Sequence, residues 1–139
     1  MFVIRNEIQF DMAHYLQDYN GKCANIHGHR YRLLVSVAAE DLHREGHLRG
    51  MVDDFSFIKK LLKSIEEQFD HKLLVEDCER GRKIADSLVK EGFDVLLLPF
   101  RPTCEEMSRY IYRKLKSEGL AVSRVELYET PGNSCTYYE

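Results

Sequence analysis

The sequence predicts an α+β domain, because stretches with a period of two lie at both ends of the chain and helical stripes lie between them. In the first stretch Ile4, Asn6, Ile8 and Phe10 share one parity while Arg5, Glu7, Gln9 and Asp11 share the other, which describes a half-buried strand leading to His14. The turn-like run Gln17-Asp18-Tyr19-Asn20-Gly21 follows. A second strand from His29 to Ala39 then puts Tyr31, Leu33, Val35 and Val37 on one face, with His27 and His29 on the same parity at its entrance. Charges, two glycines and two histidines between Asp41 and Gly50 predict a loop.

Phe55, Ile58, Leu62, Ile65 and Phe69 recur at steps of three and four behind Asp53-Asp54, the stripe of an amphipathic helix capped by an aspartate and ending before Asp70-His71. Glu79 to Lys90 predicts a shorter helix with Ile84 and Leu88 inward, and Val95 to Phe100 a short buried strand stopped by Pro99 and Pro102. Thr103-Cys104-Glu105-Glu106 is a capping box ahead of a helix with Met107, Tyr110, Ile111 and Leu115 inward, and Gly119 stops it. From Val122 to Tyr138 the chain is rich in β-branched and aromatic residues and broken by Thr130-Pro131-Gly132-Asn133, which predicts a hairpin-like strand pair. The predicted layers are an antiparallel sheet with the helices on one face.

Composition narrows the function classes. The 139 residues fit one compact domain, 1–139. The longest apolar run, Val95 to Phe100, is far short of the roughly 20 residues that span a bilayer, so no membrane partner is expected. The first residues lack a basic stretch followed by an apolar one, which makes the cytoplasm the expected compartment. A formal charge of −3 without a long basic block argues against nucleic acid as a partner. Cys23, Cys78, Cys104 and Cys135 are widely spaced and form no C-x-x-C pair, so they read as thiols.

The histidines carry the sharpest chemistry. In a strand, His27-Gly28-His29 puts two imidazoles on one face about 7 Å apart at the backbone, and His14 joins them if the first two strands pair. Three histidines suit zinc with an open coordination position, although the same spacing fits three exposed histidines at strand ends. Cys23, four residues before His27, reads either as a thiol beside the metal or as a small buried hydrophobe. Asp70-His71 reads as an oriented acid/base pair or as a helix-end histidine with a solvated aspartate. Glu129 shares the parity of Val125 and Leu127, so a carboxylate stands where the pattern asks for an apolar side chain, and it needs a partner: an arginine, or a ligand with two parallel N–H donors. If Glu106 closes the capping box, Glu105 is free for another role, or it serves as a first-turn carboxylate facing the helix dipole.

Together these segments resemble the 6-pyruvoyl tetrahydropterin synthase family, and within it the 6-carboxytetrahydropterin synthases of deazapurine (queuosine) biosynthesis. The resemblance runs nearly end to end through Phe10-Asp11-Met12-Ala13-His14, Cys23-Ala24-Asn25-Ile26-His27-Gly28-His29, Gly50-Met51-Val52-Asp53-Asp54-Phe55, Phe69-Asp70-His71-Lys72-Leu73, Pro102-Thr103-Cys104-Glu105 and Glu129-Thr130. It implies a tunnelling fold: a four-stranded antiparallel sheet with two main helices on one face, three subunits closing a barrel, two trimers stacking into a homohexamer, and active sites between subunits. It implies that His14, His27 and His29 hold Zn2+, that Cys23 is the catalytic thiol, and that Asp70 and His71 are its acid/base partners. Glu129 matches the carboxylate that anchors the pterin, and Glu105 a second carboxylate near it. The expected activity is a zinc-dependent lyase acting on dihydroneopterin triphosphate, with 6-pyruvoyl tetrahydropterin synthesis or a non-catalytic zinc/pterin-binding module as alternatives. Cys23 four positions before His27 resembles the carboxy synthases, whereas the stretch from about Glu79 to Phe93 is longer than in compact members and Val75 stands where many relatives have asparagine.

Overall fold

The computed structural model describes residues 1–139 and has six strands and three helices: β1 (Phe2–His14), β2 (His27–Ala39), α1 (Phe55–Phe69), β3 (Lys72–Glu76), α2 (Glu79–Lys90), β4 (Val95–Leu98), α3 (Cys104–Ser117), β5 (Val122–Thr130) and β6 (Asn133–Tyr137). The strands form one sheet in the order β4-β3-β1-β2-β5-β6. The fold class is α+β, as the periodicities require. The sheet nevertheless has six strands rather than four, and three helices rather than two accompany it. Nor is it wholly antiparallel: β1–β2, β2–β5 and β5–β6 are antiparallel, but β3 joins β1 and β4 in parallel. Leu74 and Val75 of β3 are neighbours in sequence and both fully buried, so both faces of that strand are covered and it carries no alternation. Val95–Leu98, expected to be buried, is instead the edge strand, with Leu97 exposed.

Local chemistry explains the helix limits. Asp54 caps α1, its Oδ1 accepting the Ser56 N–H at 2.7 Å. At the far end of α3, Leu120 N–H donates to Leu115 O and Gly119 N–H to Lys116 O, with Gly119 at φ 91°, a Schellman closure that a left-handed glycine permits. The expected capping box is only half made. Thr103 Oγ1 accepts the Glu106 N–H at 3.3 Å, but the Glu106 carboxylate pairs with Arg109 and the Thr103 N–H donates to Arg101 O.

The core lies between α1 and α3 and one face of the sheet: Phe10, Tyr31, Leu33 and Leu127 from the strands meet Ile58, Ile65, Phe69, Met107 and Ile111 from the two helices. The opposite face carries ion pairs, Arg30 with Asp11, Arg32 with Glu7 and Arg124 with Glu126, alongside buried Leu34 and Val75. No helix is long and apolar enough to cross a membrane. For the site, the decisive feature is the β1–β2 register, which sets His14 opposite His27 and Met12 opposite His29. His14 is thereby a direct cross-strand neighbour of one histidine and a diagonal neighbour of the other.

Candidate functional site

The three histidines converge. Their ring centroids are 4.6, 5.4 and 5.0 Å apart, and one nitrogen from each lies within 4.8 Å of the others. His14 Nδ1 donates to the Pro102 carbonyl at 2.7 Å and His27 Nδ1 to the Asn25 carbonyl at 2.7 Å. A carbonyl only accepts, so both neutral rings carry their proton on Nδ1 and turn a bare Nε2 inward. Those two Nε2 atoms face each other at 3.1 Å. Two lone pairs at that separation repel unless a cation lies between or beside them. His29 Nε2 is buried without a hydrogen-bond partner. Burial pulls the His14 and His29 pKa values below the usual imidazole range and so favours the neutral form that binds metals. The donor set therefore fits a divalent cation held by three imidazoles.

Glu129 completes this centre. Its Oε1 accepts from Tyr31 Oη at 3.1 Å and lies 3.4 Å from His14 Nε2 and 3.7 Å from His29 Nε2. The partner sought for this carboxylate is thus a tyrosine beside three histidines, not an arginine. Burial, reinforced by Glu129, holds the Tyr31 phenol far above its ordinary range, so it remains a donor. Tyr31 is the residue that sequence reasoning passed over as core. Its signal was parity with His27 and His29, together with a hydroxyl that needs a partner when buried.

The remaining candidates divide between two cavities. One of about 350 Å³ is lined by His14, Cys23, Cys104, Glu105 and Glu129, with Arg101 and Thr103 at its side. Glu105 is exposed there and makes no ion pair, although Glu106 pairs with Arg109 rather than closing the capping box. The other cavity, about 640 Å³, is lined by His29, Arg30, His71 and Lys72 among others. Cys23 lines the first of these cavities and His71 the second.

Asp70 and His71 do form an oriented pair. Asp70 Oδ2 is 2.8 Å from His71 Nδ1, and its Oδ1 accepts the Asp11 N–H at 2.9 Å. His71 N–H donates to the Asp11 carbonyl, and the residue sits at φ 58°, in the left-handed region. The Asp11 backbone thus clamps both residues of the pair. The Asp70 carboxylate raises the His71 pKa above 6.5, while the bonds from Asp11 N–H and His71 hold Asp70 below its ordinary 3.8. Because the folded value of His71 is raised, the stability it contributes is complete below pH 6.5 and disappears as pH rises through that higher value. The contribution of Asp70 is present above 3.8 and disappears as pH falls through its lower folded value. NMR titration of His71 should give a midpoint above 6.5 that falls back toward 6.5 in Asp70→Asn. An unchanged midpoint would show that the carboxylate does not govern this imidazole.

A family model described as 6-pyruvoyl tetrahydropterin synthase matches residues 3–139. The chain belongs to that family. A relative from Haemophilus influenzae named 6-carboxy-5,6,7,8-tetrahydropterin synthase is 42% identical over the whole of both chains. One of the same name from Synechocystis is 33% identical over 99% of this chain and 94% of its own. Among solved structures, a Caenorhabditis elegans 6-pyruvoyl tetrahydropterin synthase superposes with a TM-score of 0.70 at 26% identity, covering 99% of this chain and 95% of that one. An uncharacterized Wolinella succinogenes protein shares the fold with a TM-score of 0.75 at 22% identity, covering 99% and 98%. In this member of the 6-pyruvoyl tetrahydropterin synthase family, two thiols line one cavity but differ in chemistry. Cys104 Sγ donates to the Leu127 carbonyl at 3.1 Å, and burial pushes its pKa up to about 12, whereas Cys23 makes no such bond.

Proposed function

We propose that the chain is a zinc-dependent lyase that converts dihydroneopterin triphosphate and water to 6-carboxytetrahydropterin, acetaldehyde and triphosphate, in deazapurine (queuosine) biosynthesis. The observation that carries this reading is the convergence of three imidazoles beside Glu129, with His14 and Glu129 lining a cavity that also holds Cys23. Relatives named 6-carboxy-5,6,7,8-tetrahydropterin synthase favour the carboxy product. Incubating the purified protein with dihydroneopterin triphosphate tests it. The expected outcome is 6-carboxytetrahydropterin with one acetaldehyde per turnover. A 6-pyruvoyl product without acetaldehyde would assign the shorter reaction, and pterin binding without any product would leave a binding module.

His14, His27 and His29 would hold the zinc, which when bound supplies Lewis acidity toward the hydroxyl oxygens of the substrate side chain. Cys23, as thiolate, takes a proton from a side-chain carbon and returns it. His71 exchanges protons on the hydroxyl side while Asp70 fixes its Nδ1 and stabilises its cation. Because Cys23 and His71 open into different cavities of one chain, their meeting is assigned to a subunit boundary.

The sheet edges support that assembly. β1 pairs with β3 only through Met12, Ala13 and His14, so the same edge from Phe2 to Asp11 has no strand partner, and the outer edge of β6 is likewise free. Joining one chain's β6 to the next chain's β1 would satisfy both rows of backbone groups and close a ring. The expected assembly is a homohexamer of two stacked trimers. Light scattering should give six times the 16.3 kDa chain mass, and a mass near 16.3 kDa at micromolar concentration would contradict it.

The pterin ring is assigned to the cavity between Glu129 and Glu105. It presents a ring N–H beside an exocyclic amine, two donors that a carboxylate accepts side by side. Hydrogen bonds to a charged group are worth about 1.5–3 kcal/mol, so Glu129→Gln should weaken a pterin analogue by roughly ten- to a hundredfold, with zinc content unchanged. If pterin affinity holds while zinc is lost, Glu129 serves the metal and the ring anchor moves to Glu105.

A further inference from the structure

The pterin cavity contains one strong cation, Arg101, and that guanidinium has no partner. It makes no ion pair, and its only hydrogen bond is through its backbone carbonyl, which accepts the Thr103 N–H. Arg101 is also the only residue shared with a neighbouring cavity of about 510 Å³, lined by Gln17, Glu76, Arg80 and Lys83 among others. In that second cavity Lys83 is paired with Glu79, and Arg80 is unpaired. Arg101 therefore stands at the junction between the space beside Cys23, Glu105 and Glu129 and a further space that carries another free cation. An arginine left unpaired beside two carboxylates, in a half-buried position, is suited to a planar, multiply charged oxyanion, which it binds through two parallel N–H donors.

We infer that Arg101 is the residue that selects the triphosphate form of the substrate. The pterin ring lies toward Glu105 and Glu129, and the polyphosphate tail runs past Arg101 toward Arg80 in the second cavity. This rests on the pterin triphosphate reading above and adds to it the direction of the tail and the residue that discriminates phosphorylated from unphosphorylated pterin. The other cations near the histidines are less suited. Arg30 is engaged by both oxygens of Asp11, at 3.0 and 2.7 Å, and Arg32 lies 3.2 Å from Glu7 and over the Tyr128 ring. Lys72 is unpaired, but it lines the His71 cavity, which contains neither Cys23 nor Glu105. It is the natural comparator.

The test is calorimetry on the zinc-loaded protein with two unreactive probes, fully oxidised neopterin triphosphate and neopterin. The wild type should bind the triphosphate more tightly, and this preference should weaken as salt is raised. Arg101→Gln should lower triphosphate affinity roughly ten- to a hundredfold and leave neopterin within about twofold, with Arg101→Lys recovering part of the loss. Arg80→Ala should produce a smaller loss of the same selectivity, and Lys72→Ala none. Equal weakening of both probes in Arg101→Gln would make Arg101 a structural or ring-contacting residue and overturn the inference. So would an unchanged triphosphate affinity in that variant, or a selective loss confined to Lys72→Ala. A wild type that binds neither probe would instead overturn the pterin triphosphate reading, and this inference with it.

Discussion

Cys23→Ala should lower turnover of dihydroneopterin triphosphate by about 10²–10⁴-fold, the usual contribution of a positioned proton carrier, while zinc content and affinity for an unreactive pterin stay near wild type. The expectation follows from where the thiol stands. Cys23 lies in a single 3-10 turn, Lys22–Ala24, braced because Leu16 N–H donates to its carbonyl and the Asn25 side chain donates to Lys22 O at 3.1 Å. Neither brace uses the sulfur, so its removal leaves the turn in place. The atoms that converge between His14, His27 and His29 are all imidazole nitrogens, so its removal also leaves the proposed ligand set whole. Cys104 is the internal control. It lines the same cavity, but its thiol is tied to Leu127 O and burial keeps it protonated, so Cys104→Ala should retain most turnover. Loss of zinc in Cys23→Ala would make that cysteine a ligand, and loss of turnover in Cys104→Ala alone would exchange the two roles.

Much of this site is legible in the sequence because its signals are local. His27 and His29 share a strand face by parity, and β1 and β2 are consecutive strands, so pairing brings His14 to them. Glu129 is legible as a carboxylate out of pattern. What sequence reading missed depends on partners distant along the chain. β3 has five residues, touches β1 over three of them, and pairs in parallel with β4, whose own strand begins at Val95. A parallel strand covered on both faces has neither alternation nor a hairpin to announce it. The Asp11 backbone bonds that clamp Asp70 and His71 are invisible for the same reason: no side-chain pattern records what a backbone group 59 residues away will bind. Pro102 is another such case, since its carbonyl fixes the His14 tautomer across 88 residues.

His27→Ala is expected to abolish stoichiometric zinc and, with it, turnover. His27 is the informative member of the triad, because His14 is 2% exposed and its truncation would also open a cavity in the packed region. His27 is less buried, and its Nδ1 is held by the Asn25 carbonyl, so its Nε2 is already directed at His14 Nε2. Loss of a group that merely orients a ligand costs about 10–100-fold in metal affinity, so loss of a ligand should cost at least that. Removing His27 also separates two explanations of the 3.1 Å contact between ring nitrogens. If a metal ion is what reconciles the lone pairs, chelation of the wild type should lower its thermal stability and zinc should restore it in a concentration-dependent way. His27→Ala has no such opposed pair, so chelation should leave its stability nearly unchanged. Should the variant keep one zinc per chain after dialysis, or should chelation destabilise variant and wild type equally, the cation is held elsewhere and the three histidines are structural.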